Sequence, residues 1–283
     1  MTDEIGQIWC NQDLVRLRND LQELLGIDLH FELGVVDSGK VCFKADTPVA
    51  GDFASVISHY LNGELEESRR TLWRLLYYRK HLQEVARGRP SILERFMSKF
   101  RSTAHDPPNF YGTMFEVEIA ASFLRKGVSF EKRESPDFRV NVGDEVVGVE
   151  CTTGRLEGSG LPLKKLEGRV KKKGARNYVG LSDAVFVDAT GALYASAGGG
   201  TPRMEMSMED NMKRFMTAGV HEADVGAAVA FFRVVHDAGG IETIFSRVDH
   251  LRVNERLRQF LNTAYPYGER KVDLGRIWYL SQN

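Results

Sequence analysis

Residues 110–153 read FYGTMFEVEIAASFLRKGVSFEKRESPDFRVNVGDEVVGVECTT. The stretch divides into one helix followed by three strands, and it brings an acidic side chain from each of three elements. At 100° per residue, Phe115, Val117, Ile119, Ala120, Ala121, Phe123 and Leu124 cover most of the helix circumference. Glu116 falls inside that apolar arc; Glu118 falls outside it, beside Ser122 and Arg125. A carboxylate aimed at an interior is costly unless a charge or a hydrogen bond meets it.

The strands that follow supply company for it. Val128, Phe130 and Lys132 share one period-2 set. In Pro136–Val142 the residues Phe138, Val140 and Val142 share a face, so Asp137 points to the other. In Glu145–Thr152 one face carries Val147, Val149 and Cys151, and the opposite one carries Val146, Gly148, Glu150 and Thr152. The turn Val142-Gly143-Asp144-Glu145 suits a hairpin, which sets Asp137 and Glu150 on adjacent strands. Two acids on neighbouring strands near an inward Glu116 make a site for a hard cation.

Glu116 on a helix, Ser135-Pro136-Asp137 at a strand start and Glu150-Cys151-Thr152 at a strand end resemble the PD-(D/E)xK nuclease superfamily. The arrangement is similar to archaeal Holliday junction resolvases and restriction endonucleases. The match covers roughly residues 110–190. The family order is helix Glu, then Asp, then Glu-x-Lys; here Thr152 stands where the family has its lysine. The resemblance implies an α/β fold, with a restriction-endonuclease-like mixed sheet flanked by helices over residues 109–283. Residues 1–108 then form a mainly helical accessory region with one hairpin. It also implies a metal-dependent nuclease hydrolysing phosphodiester bonds in DNA, as an endonuclease, with RNA open as a second substrate. A symmetric dimer would supply two active sites for cutting a duplex.

Phosphodiester hydrolysis needs an activated water and a leaving oxygen whose charge is absorbed. Mg²⁺ or Mn²⁺ does both when carboxylates hold it with coordination positions left open. Asp137 and Glu150 are the expected direct ligands. Glu116 is a third ligand or holds the attacking water, and the backbone carbonyl of Cys151 adds an oxygen. The Cys151 thiol is too soft for this ion and alternates away from Glu150. Thr152 keeps the lysine's direction but carries no charge, which leaves three readings. The cation comes from the next helix, as Lys173, Lys171 or Lys165, with Lys173 nearest the apolar stripe. It comes from Lys132 on the preceding strand. Or the site binds nucleic acid without cutting it. A structural alternative pairs Glu116 with a core arginine such as Arg139.

The whole chain has 283 residues, 42% hydrophobic and 27% charged, with net charge −1, a composition that supports a sizeable core. No apolar run approaches the roughly 20 residues needed to cross a bilayer, and MTDEIGQIWC predicts no secretory signal. Cys10, Cys42 and Cys151 form no zinc pattern or disulfide framework, so a reducing, cytoplasmic setting is expected. Basic residues concentrate in two segments. Arg69–Arg101 holds ten Arg/Lys against two acids, and Lys164–Arg176 seven against one, a distribution that fits contact with a polyanion. Lys164, Arg169, Lys172 and Arg176, with Arg70 and Arg74, are the candidate nucleic-acid contacts; a solvated helix face is the plain alternative.

Elsewhere the pattern predicts a helix over Asp13–Gly26, a hairpin through Asp37-Ser38-Gly39-Lys40, and a helix from about Asp52. A long helix over Leu65–Ala86 follows, with Trp73, Tyr77 and Tyr78 facing the core or stacking on bases. Another runs over Ser91–Ser102, with Ser91 and Glu94 as a capping box. Asp106-Pro107-Pro108 marks a boundary. After a glycine-rich loop at Gly154–Pro162 come a helix Leu163–Tyr178 and a buried strand Ala184–Val187. Gly198–Gly200 precedes a helix over Arg203–Thr217. Buried strands follow at Gly226–Val235 and Ile241–Val248, and Val253–Thr263 closes as a helix. His221, His236 and His250 lack zinc spacing.

Overall fold

The structure, a computed structural model, describes residues 11–33, 43–153, 162–196, 206–235, 241–267 and 276–277. The turn expected at 37–40, the glycine-rich stretches at 154–161 and 198–200, Cys10, Cys42 and His236 lie outside the described residues. Two units divide the chain, Met1–Ala121 and Ser122–Asn283. Among the described residues no helix is long and apolar enough to cross a membrane.

The first unit is mainly helical. Helix α1, Asn11–Leu25, buries Leu17, Leu21 and Leu25 and stops at Gly26, whose φ of 66° suits a residue without Cβ. Strands β1 (Phe31–Leu33) and β2 (Phe43–Ala45) pair antiparallel. Helix α2, Pro48–Leu61, starts before the expected Asp52, because Thr47 accepts the Ala50 N–H and Pro48 presets the first turn. Helix α3, Leu65–Gly88, buries Tyr77 and Tyr78, so both serve the core; Trp73 is half-buried under the Arg69 guanidinium, 5.4 Å from its ring centre. Helix α4, Pro90–Thr103, begins at its proline with Arg89 at the cap. Ser91 therefore sits inside the first turn, and the capping box expected there does not form. Helix α5, Pro107–Arg125, follows Asp106, whose carboxylate accepts the Asn109 N–H. The division between the two units falls inside α5.

One buried ion pair links α2 to α3: Arg74 donates to Asp52, whose side chain is 6% exposed. Arg74, expected as a nucleic-acid contact, is thereby committed to the helix interface. Burial pushes the Asp52 carboxyl up to about 6, against the opposing pull of Arg74.

The second unit is a mixed sheet flanked by helices. Its strands are β3 (Phe130–Lys132), β4 (Phe138–Val142), β5 (Glu145–Thr153), β6 (Asp183–Asp188), β7 (Ala227–Val235) and β8 (Ile241–Asp249), arranged in that order. The first three are antiparallel, β5–β6 and β6–β7 are parallel, and β7–β8 is antiparallel; a short β9, Arg276–Ile277, also pairs with β7. Helix α6 (Lys164–Gly174) links the parallel strands β5 and β6; α7 (Thr190–Ser196) and α8 (Met206–Ala223) link β6 and β7. Leu166 and Val170 of α6 and Met212, Met216 and Val220 of α8 cover Val185, Val187, Ala228 and Ala230 of the sheet. The opposite face is aromatic: Phe123, Phe138, Phe186, Phe231 and Tyr265 meet edge to face or tilted. Helix α9, Glu255–Ala264, adds Phe260 there and is capped by Asn254. Tight packing of α6 on α8 requires Gly219, where a Cβ would lie 2.9 Å from the Glu167 carbonyl and from Val170 Cβ.

Two outcomes follow from these contacts. Gly219→Ala should cost about 1–3 kcal/mol in urea unfolding, since backbone cannot yield as a side chain does; an unchanged midpoint would contradict the contact. Asp52 binds its proton more tightly folded than unfolded, so the folded state holds more protons between about pH 4 and pH 6. Stability should therefore fall as pH rises through that window, by on the order of 1–3 kcal/mol, and Asp52→Asn should flatten that slope.

Candidate functional site

Strand register builds the site. Phe138 pairs with Val149 as the last pair between β4 and β5, and Asp137, the residue just before β4, is brought beside Glu150 and Cys151 of β5. Opposite residues of an antiparallel pair project to one face. On β5 the face of Glu150 also holds Gly148 and Thr152, and since Glu150 pairs with Val185 of β6 it is the face that α6 covers. Cys151 alternates to the aromatic face, and its side chain, in no disulfide, is buried.

Both carboxylates are buried, Glu150 at 1% and Asp137 at 7% exposure, and each is met by donors. The Cys151 N–H donates to Asp137 Oδ2 at 2.7 Å. A residue's N–H and C=O leave a strand toward the same neighbour, so the Cys151 carbonyl is on that flank too. Lys173, in the last turn of α6, lies 2.7 Å from Glu150 Oε2 and 3.8 Å from Asp137 Oδ2. Lys132, buried on β3, stands 3.7 Å from Asp137 Oδ1 and donates to the carbonyls of Asp137 and Arg133. The Tyr178 hydroxyl donates to Glu150 Oε1 at 2.8 Å and accepts from Arg176 Nη1 at 2.5 Å. Arg176 is also 3.7 Å from Glu150 Oε2. The hydrogen bond to Tyr178 first, and the charge of Glu150 behind it, hold the Arg176 guanidinium above its ordinary range.

Asp183, at the start of β6, fixes the strand that carries Glu150. Its two oxygens accept the N–H groups of Gly148 (2.8 Å) and Gly180 (2.8 Å). A Cβ on residue 148 would lie 2.3 Å from Asp183 Oδ1, so only glycine allows this approach. Burial pushes the Asp183 carboxyl up while the two N–H groups pull it down and Glu150 adds a smaller upward push.

Several of the expected residues have other partners. Among the described residues no group of three or more His, Cys, Asp or Glu side chains is placed to hold a metal ion. Glu116 is buried in the first unit and accepts from Lys99 Nζ at 2.6 Å, whereas Arg139, its suggested structural partner, is exposed on β4. Glu118, expected outside the apolar arc, is 3% exposed and accepts from Tyr77. Lys171 is exposed and pairs with Glu222, which removes it from the site; Lys165 is half-buried. Lys164, Lys172 and Arg176 are exposed, Arg169 and Arg70 half-buried. His221 and His250 have ring centres 4.7 Å apart, with His250 accepting the Arg252 N–H.

Tyr178 and Asp183 went unread in the sequence as parts of the site. The α6 pattern extended to Tyr178 as a buried stripe, but the helix ends at Gly174, packed where a Cβ would strike Ala223 and Val225. The chain after Gly174 turns Arg176 and Tyr178 onto Glu150. Pairing of β5 with β6 would have revealed Asp183, yet parallel pairing leaves no local sequence signal.

Two buried carboxylates on one flank offer only hard oxygen donors, and one or two carboxylates are what Mg²⁺ or Mn²⁺ ordinarily takes from a protein. The donor set therefore fits such an ion through Asp137 and Glu150. The support that Asp183 gives Gly148 has its own consequence. Asp183→Asn keeps at most one acceptor for two buried N–H groups and should cost about 1–3 kcal/mol in urea unfolding; an unchanged midpoint would exclude that role.

No family model, curated protein or solved structure matches the chain, so its chemistry is read from the site itself.

Proposed function

We propose that the second unit is a Mg²⁺- or Mn²⁺-dependent deoxyribonuclease of PD-(D/E)xK type on a restriction-endonuclease-like fold, acting as an endonuclease. The observation that carries this reading is the buried pair Asp137 and Glu150, with the Lys173 ammonium 3.8 Å from the first and 2.7 Å from the second. In this reading Lys173 supplies from α6 the charge that Thr152 lacks. Asp137 and Glu150 would hold the cation, with the Cys151 carbonyl as a further oxygen, and an ion held there would supply a water of lowered pKa and a positive charge for the leaving oxygen.

The chain's own groups do the rest. Lys173 Nζ orients the attacking water and meets charge that grows on the phosphoryl oxygens. The Cys151 N–H holds Asp137, and Tyr178 holds Glu150, so neither carboxylate has to reorganise. The exposed Lys164, Lys172 and Arg176, with Arg169, supply sequence-independent attraction for the phosphate backbone.

A second reading, a nucleic-acid-binding protein that does not cut, is favoured by one observation: both Glu150 oxygens already have protein donors. Incubation with linear, circular and single-stranded DNA and with RNA, with and without Mn²⁺, separates the two. The nuclease gives product only with the ion, whereas the binder gives salt-sensitive complexes and no product. Asp137→Asn and Glu150→Gln should each lower cleavage at least about a hundredfold with the fold retained; cleavage at the wild-type rate in both variants would overturn the assignment.

A further inference from the structure

The charges around the two acids are unequal in mobility, and this difference assigns them separate roles. Two neighbouring buried carboxylates repel one another and require neutralisation. Lys132 gives part of it from a fixed position: it is 6% exposed, donates to two backbone carbonyls, and stands 3.7 Å from Asp137 Oδ1. Arg176 stands 3.7 Å from Glu150 Oε2 and makes its closest contact with the Tyr178 hydroxyl. Lys173 differs from both. It is 21% exposed, its one hydrogen bond in the cluster goes to Glu150 Oε2, and its long stem can swing.

Resting on the metal-site reading, we infer that Lys173 is an internal stand-in for the divalent cation, closing the centre by occupying Glu150 Oε2 until the ion displaces it. An ammonium and a doubly charged ion repel strongly when both sit within about 4 Å inside protein. The ion's arrival therefore drives Lys173 off Oε2, toward the solvent side where a phosphate approaches. Tyr178, itself held by Arg176, keeps hold of Oε1 throughout, so Glu150 stays oriented while its other oxygen changes partner. One ammonium thus compensates the buried Glu150 carboxylate before an ion binds and serves the centre afterwards.

Calorimetric titration of the full chain with Mn²⁺ alone, without nucleic acid, tests this. Lys173→Met keeps the stem and removes the charge, and should bind Mn²⁺ at least about tenfold more tightly than wild type. Lys171→Met removes one charge from the same helix but from its exposed pair with Glu222, and should stay within about twofold. Lys173→Gln, which retains a donor for Glu150, should fall between wild type and Lys173→Met. Thermal melts with and without Mn²⁺ give a second readout: the ion should raise Tm more for Lys173→Met than for wild type. Unchanged or weaker Mn²⁺ affinity in Lys173→Met, beside a wild type that binds, would overturn this inference and leave the metal site standing. Absence of Mn²⁺ binding in wild type and all variants would overturn the metal reading, and this inference with it.

Discussion

Everything at the site depends on the register between β4 and β5. Val140 opposite Val147 and Phe138 opposite Val149 commit the apolar set of both strands to one face, and the pleat then sends Asp137 and Glu150 together to the other. A slip of one residue between the two strands would leave one acid facing α6 and send the other among the aromatic side chains. The aromatic cluster around Phe123, Phe186 and Tyr265 therefore acts on the acids indirectly: its preference for one face makes the other the place where they meet. Asp183 reinforces this by holding Gly148, two residues before Glu150, from the neighbouring strand.

Burial then dictates what must surround the acids. A carboxylate at 1% exposure is tolerable only with donors on its oxygens, and Glu150 has Lys173 and Tyr178. Both arrive through the end of α6. Gly174 lets that helix close on Ala223 and Val225, Lys173 is its last-turn cation, and the residues just beyond carry Arg176 and Tyr178. The packing of α6 on α8, through Gly219 and Val170, thereby sets the distance at which Lys173 stands from Glu150.

How far the sequence spoke depended on the kind of regularity each residue obeyed. Period-2 alternation in residues 136–152 gave the facing of Asp137, Glu150 and Cys151, because one face of each strand is apolar and the other is not. Lys173 was legible from its position beside the Leu166 stripe. The helical wheel served less well for α5. Val117, Ile119, Ala120, Ala121 and Phe123 are all fully buried, so the helix has little outside, and an apolar arc cannot distinguish Glu116 from Glu118. Both acids are buried, and their partners, Lys99 and Tyr77, come from helices 17 and 41 residues earlier. Pairings of that kind arise only from tertiary packing. The helix starts were misread for a local reason: at Pro48 and Pro90 the fixed φ of proline opens the helix ahead of the residue that hydropathy favours.

The central claim is that Asp137 and Glu150 share one divalent ion, and an anomalous difference map from crystals soaked in Mn²⁺ tests it most directly. The account predicts a single strong peak bonded to an oxygen of each carboxylate, with Lys173 Nζ moved off Glu150 Oε2. A map without a peak at saturating Mn²⁺, with the Lys173–Glu150 pair intact, would contradict it.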